Sequence, residues 1–253
     1  SNSERSFTMN MLTIFKRELT SYFTQPTAYA IVIVFGFLSS LLAFTLGQFW
    51  NVADASLNGS FFVYHPLLLM ILVPAVSMRQ WADEHYTGTI ELLGTFPINL
   101  GSAIIGKFLA SAVVWALALA LTFPMILTVN YLGSPDPWTI FSGYLGSFLV
   151  CLTFLAITTL VSSFTRDQVV ALIVSVAICC LLTMIGWEPV INEVRRTGPE
   201  AKGAVELMTR IGIFSHFFDA TLGRISYASL IYLGGIISVC LFGTNLALKS
   251  QRA

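Results

Sequence analysis

A chain of 253 residues that is 56% apolar and only 10% charged departs from soluble domains, which run at about 45–50% apolar and about 25% charged. It reads as one all-α integral membrane domain. Thirteen Lys and Arg balance thirteen Asp and Glu, and with no basic block in the chain, nucleic acid is excluded as a partner. Cys151, Cys179, Cys180 and Cys240 all fall inside apolar runs and read as buried small hydrophobes. A soft metal at Cys179-Cys180 and Met184 would lack any neighbouring His or acid, so no metal site is expected.

Taken in order, residues 1–10 read as a tag or unstructured start and carry no fold argument. Over residues 11–25, Leu12, Phe15, Leu19, Tyr22 and Phe23 form an apolar stripe with Lys16, Arg17, Glu18 and Thr20 off it. That pattern predicts an amphipathic helix on the membrane surface. The rest, 26–253, forms one six-span domain. Its spans, at about 20 apolar residues each, are expected at about 28–49, 61–78, 104–131, 138–164, 169–187 and 227–248. Trp50, Tyr64, Trp81, Tyr131, Trp138, Trp187 and Tyr227 supply the aromatic belt at their ends. Pro74 and Pro124 should kink their spans. Ala112, Ala116 and Ala120 form a small-residue row suited to close helix packing.

Between the second and third spans lies the stretch the chain is organised around, Arg79–Lys107, a polar run set outside the membrane. Thr87-Gly88-Thr89 breaks it ahead of a short helix, Ile90–Thr95. Thr87 or Thr89 can cap that helix, Glu91 falls in its first turn, and Pro97 ends it. A short capped helix between two spans is the form of a docking surface for a soluble partner.

Lys and Arg fall at Arg5, Lys16, Arg17, Arg79, Lys107, Arg166, Lys249 and Arg252 on one side, and loops 51–60 and 132–137 hold none. This predicts both termini on the cytoplasmic side. The other five cations lie in a long outer segment, Glu188–Ser226. Turns are expected there at Pro189 and at Thr197-Gly198-Pro199. A helical stretch should follow, with Val205, Met208, Ile211 and Phe218 on one face, Ile213, Phe214 and Phe217 beside it, and breaks at Gly212, Ser215 and Gly223. An apolar-faced helix there should lie on the outer interface or dip into it.

No enzyme site emerges. Gly101–Lys107 matches a phosphate-loop pattern but continues with Phe108 where Ser or Thr must hold magnesium, and no strand precedes it. Lys107 reads instead as an interfacial cation opening the third span. His85 lacks a second His at helical spacing, so zinc is not expected. The absence of mid-span charges argues against an ion-coupled carrier.

Three segments resemble the ABC type-2 transporter permeases. They are Phe15-Lys16-Arg17-Glu18-Leu19 with Pro26, Glu84 through Gly88-Thr89-Ile90-Glu91-Leu92-Leu93 with Pro97 and Gly106-Lys107, and Phe214-Ser215-His216-Phe217-Phe218 with Gly223-Arg224-Ile225. The pattern is nearest to the gliding-motility-associated subgroup. The resemblance implies a permease subunit of an ATP-driven exporter in the bacterial inner membrane. It also implies a second permease copy or paralogue, and two cytoplasmic ABC ATPase subunits that carry the ATP and magnesium, this chain having no cofactor. Glu84, Tyr86, Thr87, Gly88, Thr89, Glu91 and Leu92 would form the ATPase-coupling element, braced by Lys16, Arg17 and Glu18. Phe214, His216, Phe217 and Phe218 are candidates for an outer gate. The alternative is a non-transporting subunit that relays ATPase work to an extracytoplasmic accessory protein.

Overall fold

The computed structural model describes residues 2–24, 26–47, 57–88, 100–196 and 201–250, with side chains from 11 onward and excluding that of residue 27. Every helix and turn among them belongs to an all-α architecture. Helix α1 (Asn2–Thr24) precedes α2 (Pro26–Thr45). A 3-10 turn at Phe62–Tyr64 leads into α3 (His65–Ser77), which α4 (Arg79–Tyr86) prolongs. Then come α5 (Leu100–Leu121), α6 (Phe123–Leu132), α7 (Pro137–Ser162) and α8 (Gln168–Ile185). Three short helices, α9 (Glu188–Arg196), α10 (Lys202–Ile211) and α11 (Ile213–Thr221), lead to α12 (Tyr227–Ser250). Among the described residues six stretches are long and apolar enough to cross a membrane: 28–45, 62–86, 100–132, 137–162, 168–185 and 227–250.

One helix organises the others. In α7, 72% of the apolar window is buried, against 22% in the windows of α2, α8 and α12. Those three turn Ile33, Phe37, Ile173, Leu181, Ile231 and Phe242 outward, as a lipid-facing surface requires. Asp136 caps α7 by accepting from the Trp138 amide (3.1 Å) and the Thr139 hydroxyl (2.8 Å), and Pro137 opens it without wasting a donor. A Cβ on Gly143 would stand 2.7 Å from the Phe62 ring, and one on Gly146 2.8 Å from Ala220. Bare backbone on α7 therefore admits its neighbours. His65 crosses to α7 through Nδ1, 2.8 Å from Ser147 Oγ. Since that hydroxyl donates to Gly143 O, the Nδ1 carries the proton. Phe61 and Phe62 pack edge-on against His65 and each other, Phe35 lies tilted against His65, and Trp115 meets Phe35 edge-on.

Several expectations change. Helix α1 begins at Asn2, not Met11, since nothing between them breaks a helix. Leu12 and Phe23 point away from the bundle (59% and 39% exposed). The inward face is Met11, Ile14, Phe15, Glu18, Leu19 and Tyr22. The polar run at 79–107 is not all outside the bundle. Arg79–Tyr86 continues the second span with Gln80, Trp81 and Ala82 buried, and the third span starts at Leu100. Pro74 sits inside α3, whereas Pro124 falls in the first turn of α6, after a break at Thr122. Pro189 is not a turn residue. It sits at the second position of α9, where its missing N–H costs nothing. Of the alanine row, Ala112 is buried but Ala116 and Ala120 are exposed. The chain breaks at Gly212 and turns at Gly223 (φ +79°), while Ser215 stays helical. The turn expected at 197–199 lies outside the described residues.

Candidate functional site

The polar residues of α1, α4 and α5 meet at one end of the bundle because of one glycine. A Cβ on Gly106 would stand 3.2 Å from both Ile14 Cγ2 and the Met11 carbonyl oxygen, and 3.3 Å from the Phe15 nitrogen. Gly106 lets α1 lie directly on α5, which brings the next residue, Lys107, under the acids of two other helices. Its Nζ lies 2.7 Å from Glu84 Oε1 on α4 and 3.5 Å from Glu18 Oε1 on α1. It also donates to the Gln80 carbonyl at 3.0 Å and stands 5.1 Å from the centre of the Trp81 ring. The lysine side chain is 7% exposed. It is therefore a buried hub and not the interfacial cation expected from sequence. An ammonium at this depth is tolerable only with its charge neutralised and its protons bonded.

Arg17, itself exposed, bonds Glu18 Oε1 at 2.8 Å. Burial disfavours the Glu18 carboxylate, but the Lys107 ammonium and the Arg17 guanidinium outweigh it and hold its pKa below the usual range. The hydrogen bond to Glu18 raises that of Arg17 in turn. Burial pushes the Tyr22 phenol up.

From this cluster a polar network runs into the bundle. Gln80 donates from Nε2 to Ser111 Oγ on α5 (2.5 Å) and accepts at Oε1 from Thr159 on α7 (2.9 Å). The Tyr22 hydroxyl meets the same Ser111 at 2.8 Å. Asp83 accepts from Gln168 at the start of α8, and His85 Nε2 donates to the Ser163 carbonyl at 3.0 Å. Gln80, Asp83, Glu84 and His85 thus bond the eight-residue α4 to α5, to α7 with its C-terminal cap, and to α8 at once. A cavity of about 300 Å³ opens beside them, lined in part by Glu18, Tyr22, Arg79, Asp83, Glu84 and Lys107.

Beyond the cluster α4 ends where the expected docking loop begins. The Thr87 hydroxyl donates back to Asp83 O at 2.7 Å, closing α4, and Gly88 follows at φ +70° with open space around it. Tyr86 is 80% exposed. Thr89, Glu91 and Leu92, and the expected helix Ile90–Thr95, lie outside the described residues. Lys16 faces outward. Sequence reasoning missed Gln80, Asp83, Lys107, Ser111, Thr159 and Gln168. The available signal was a set of hydrogen-bonding side chains at the same ends of otherwise apolar helices.

At the opposite end, Phe214 and Phe217 are buried in the bundle, and Phe218 stacks on Phe214 at 6.4 Å. His216 is held at both nitrogens, by Ser229 Oγ (2.9 Å) and the Arg210 carbonyl (3.0 Å), and stacks on Tyr232. The carbonyl can only accept, so Nε2 carries the proton. Helix α11 packs on α7 and α8. Helix α10 buries no residue and leaves Leu207 and Ile211 exposed.

A family model described as ABC-2 family transporter protein matches residues 48–215, roughly two-thirds of the chain. The match does not distinguish a subgroup. No curated protein sequence matches the chain.

Proposed function

This chain belongs to the ABC-2 transporter family, and on that premise we propose that it drives export by moving the Glu84–Lys107–Glu18 cluster. It is a membrane-embedded permease component of an ABC transporter. Family members lack a nucleotide-binding domain of their own and work with an ABC ATPase subunit. In our reading two permease halves pair in the bacterial inner membrane with both termini cytoplasmic, and two ATPases, each with its ATP and magnesium, dock below. Residues Thr87–Phe96 seat in the ATPase. Their displacement pulls on α4, and α4 carries it to α1 and α5 through Glu84 and Lys107, to α7 through Gln80, and to α8 through Asp83.

The observation that carries this reading is the bonding of α4 to α5, α7 and α8, and through Lys107 to α1, directly before the loop that resembles a coupling helix. A free loop between spans needs no such anchorage. The test uses the purified permease with its ATPase. Gly88→Pro and Glu91→Lys should leave the protein inserted and folded but reduce ATPase binding and stimulation severalfold. Parent-level docking and stimulation in both variants would show that the loop is not the coupling element.

A further inference from the structure

The third span does not cross as one rod. Helix α5 stops at Leu121, and Thr122 turns the chain into α6, its hydroxyl donating to Leu119 O (2.6 Å) and meeting the Tyr144 hydroxyl at 2.9 Å. The break leaves a groove of about 390 Å³ between the end of α5, α6 and the start of α7. Leu119, Ala120, Phe123, Ile126, Ile140 and Phe141 wall it. Tyr144, its hydroxyl spent on Thr122, closes the inner end, and the outer end opens at Asn130 and Pro135.

We propose that this groove binds one acyl chain of a bilayer phospholipid, in the leaflet on the side of the α6–α7 turn, with the ester region of that lipid at Asn130. Length is the first argument. From Leu119 to Asn130 the helical path is about 16 Å at 1.5 Å per residue, and one leaflet of a roughly 30 Å hydrocarbon core is about 15 Å deep. Continuity is the second. Leu121, Phe123 and Leu127 on one bank and Phe141 on the other are 52–57% exposed and extend the groove onto the lipid-facing surface of the six spans. Tyr131 and Trp138, 91% and 56% exposed, stand at its mouth, at the depth where aromatic side chains meet headgroups.

A second copy of the chain fits less well. Helices in membranes approach through small residues, and here only Ala120 is small, on a floor between large banks. Such a shape admits a chain but not a helix. An apolar groove left empty would forfeit the dispersion contacts of its whole lining, and in this leaflet hydrocarbon is the material at hand. Residues 108–165 contain no Lys or Arg, so recognition rests on the chain and not on headgroup charge.

The test reconstitutes the full chain with phosphatidylcholine carrying a diazirine at mid-palmitoyl, followed by irradiation and mapping of adducts by mass spectrometry. Adducts at Phe123, Ile126 or Phe141 are expected severalfold above those at Ile173 and Ile231, which are 63% and 75% exposed but lie on other helices. A phosphatidylglycerol probe should give the same map. Ala120→Phe, which fills the floor from an exposed position, should reduce groove adducts to the level of the controls without changing elution volume. Equal labelling at all sites would mean annular contact only and would overturn the proposal. So would groove labelling indifferent to Ala120→Phe, or copy-to-copy crosslinks at Phe123 or Phe141 in place of lipid adducts. If Ala120→Phe does not fold, the parent comparison of groove with controls decides.

Discussion

Gly186 and Gly212 touch backbone to backbone. A Cβ on Gly186 would stand 2.8 Å from Gly212 Cα and 2.9 Å from its carbonyl carbon, and Ser215 donates to the Gly186 carbonyl at 3.1 Å. The end of α8 and the break between α10 and α11 are thus clamped where no side chain fits. Gly212→Ala or Gly186→Ala should cost about 1–3 kcal/mol or more through overpacking against rigid backbone. Gly203→Ala, with nothing within 4 Å, should cost nothing. Thermal unfolding of the purified variants in detergent checks this. Equal melting temperatures for Gly212→Ala and Gly203→Ala would dissolve the clamp.

Lys107 stands between two carboxylates, so removing it should hurt more than removing the whole set. Lys107→Met leaves Glu18 and Glu84 facing each other at low exposure and should destabilise by about 3–5 kcal/mol. The triple variant Lys107→Met, Glu18→Gln, Glu84→Gln should recover a large part of that loss. Unfolding of the single and triple variants measures the difference. Additive losses would mean the three groups act independently.

The same cluster sets a pH dependence. The Glu18 pKa lies below its ordinary value in the folded chain. Its ionised form therefore stabilises the fold above the unfolded value of about 4.3, and that contribution fades as pH falls through the lower folded value. The stability gap between parent and Glu18→Gln should be constant from pH 7 to about 5 and close below about 4. A gap that grows on acidification would reverse the assignment.

Orientation is testable by access. In a cysteine-free background, Asn58→Cys and Asp136→Cys should react with an impermeant maleimide on intact cells, and Glu91→Cys should not. Reaction at Glu91→Cys would invert the topology.

The spans were legible because a bilayer imposes length and apolarity on each of them separately, and Ala28–Thr45 or Tyr227–Ser250 can be read without knowing its neighbours. Lys107 was not. Its position at a span end looks the same in sequence whether it snorkels or is covered. What covers it is α1, admitted by Gly106, and a glycine does not announce which helix will cross it. Glu18, named as a brace by the family resemblance, falls off the apolar stripe for the same reason. A stripe drawn by hydrophobicity alone cannot include an acid whose partner lies on another helix. The break at Thr87-Gly88 is legible from its residue types, but the helix before it is not: Thr87 donates back to Asp83 because α4 continues past the expected end of its span at Met78.

The most buried helix, α7, is the fourth span to be made. A ribosome delivers α1 through α5 first, and these hold the complete charge set of Arg17, Glu18, Glu84 and Lys107, so this cluster can settle with its charges balanced before the centre of the bundle exists. Other groups have to wait. His65 lacks Ser147, Gln80 lacks Thr159 and Asp83 lacks Gln168 until later spans arrive. Nascent chains halted before residue 137 should therefore expose a polar seam along the second span. That seam is where an insertion chaperone would hold the growing protein, and where the arrival of α7 would release it.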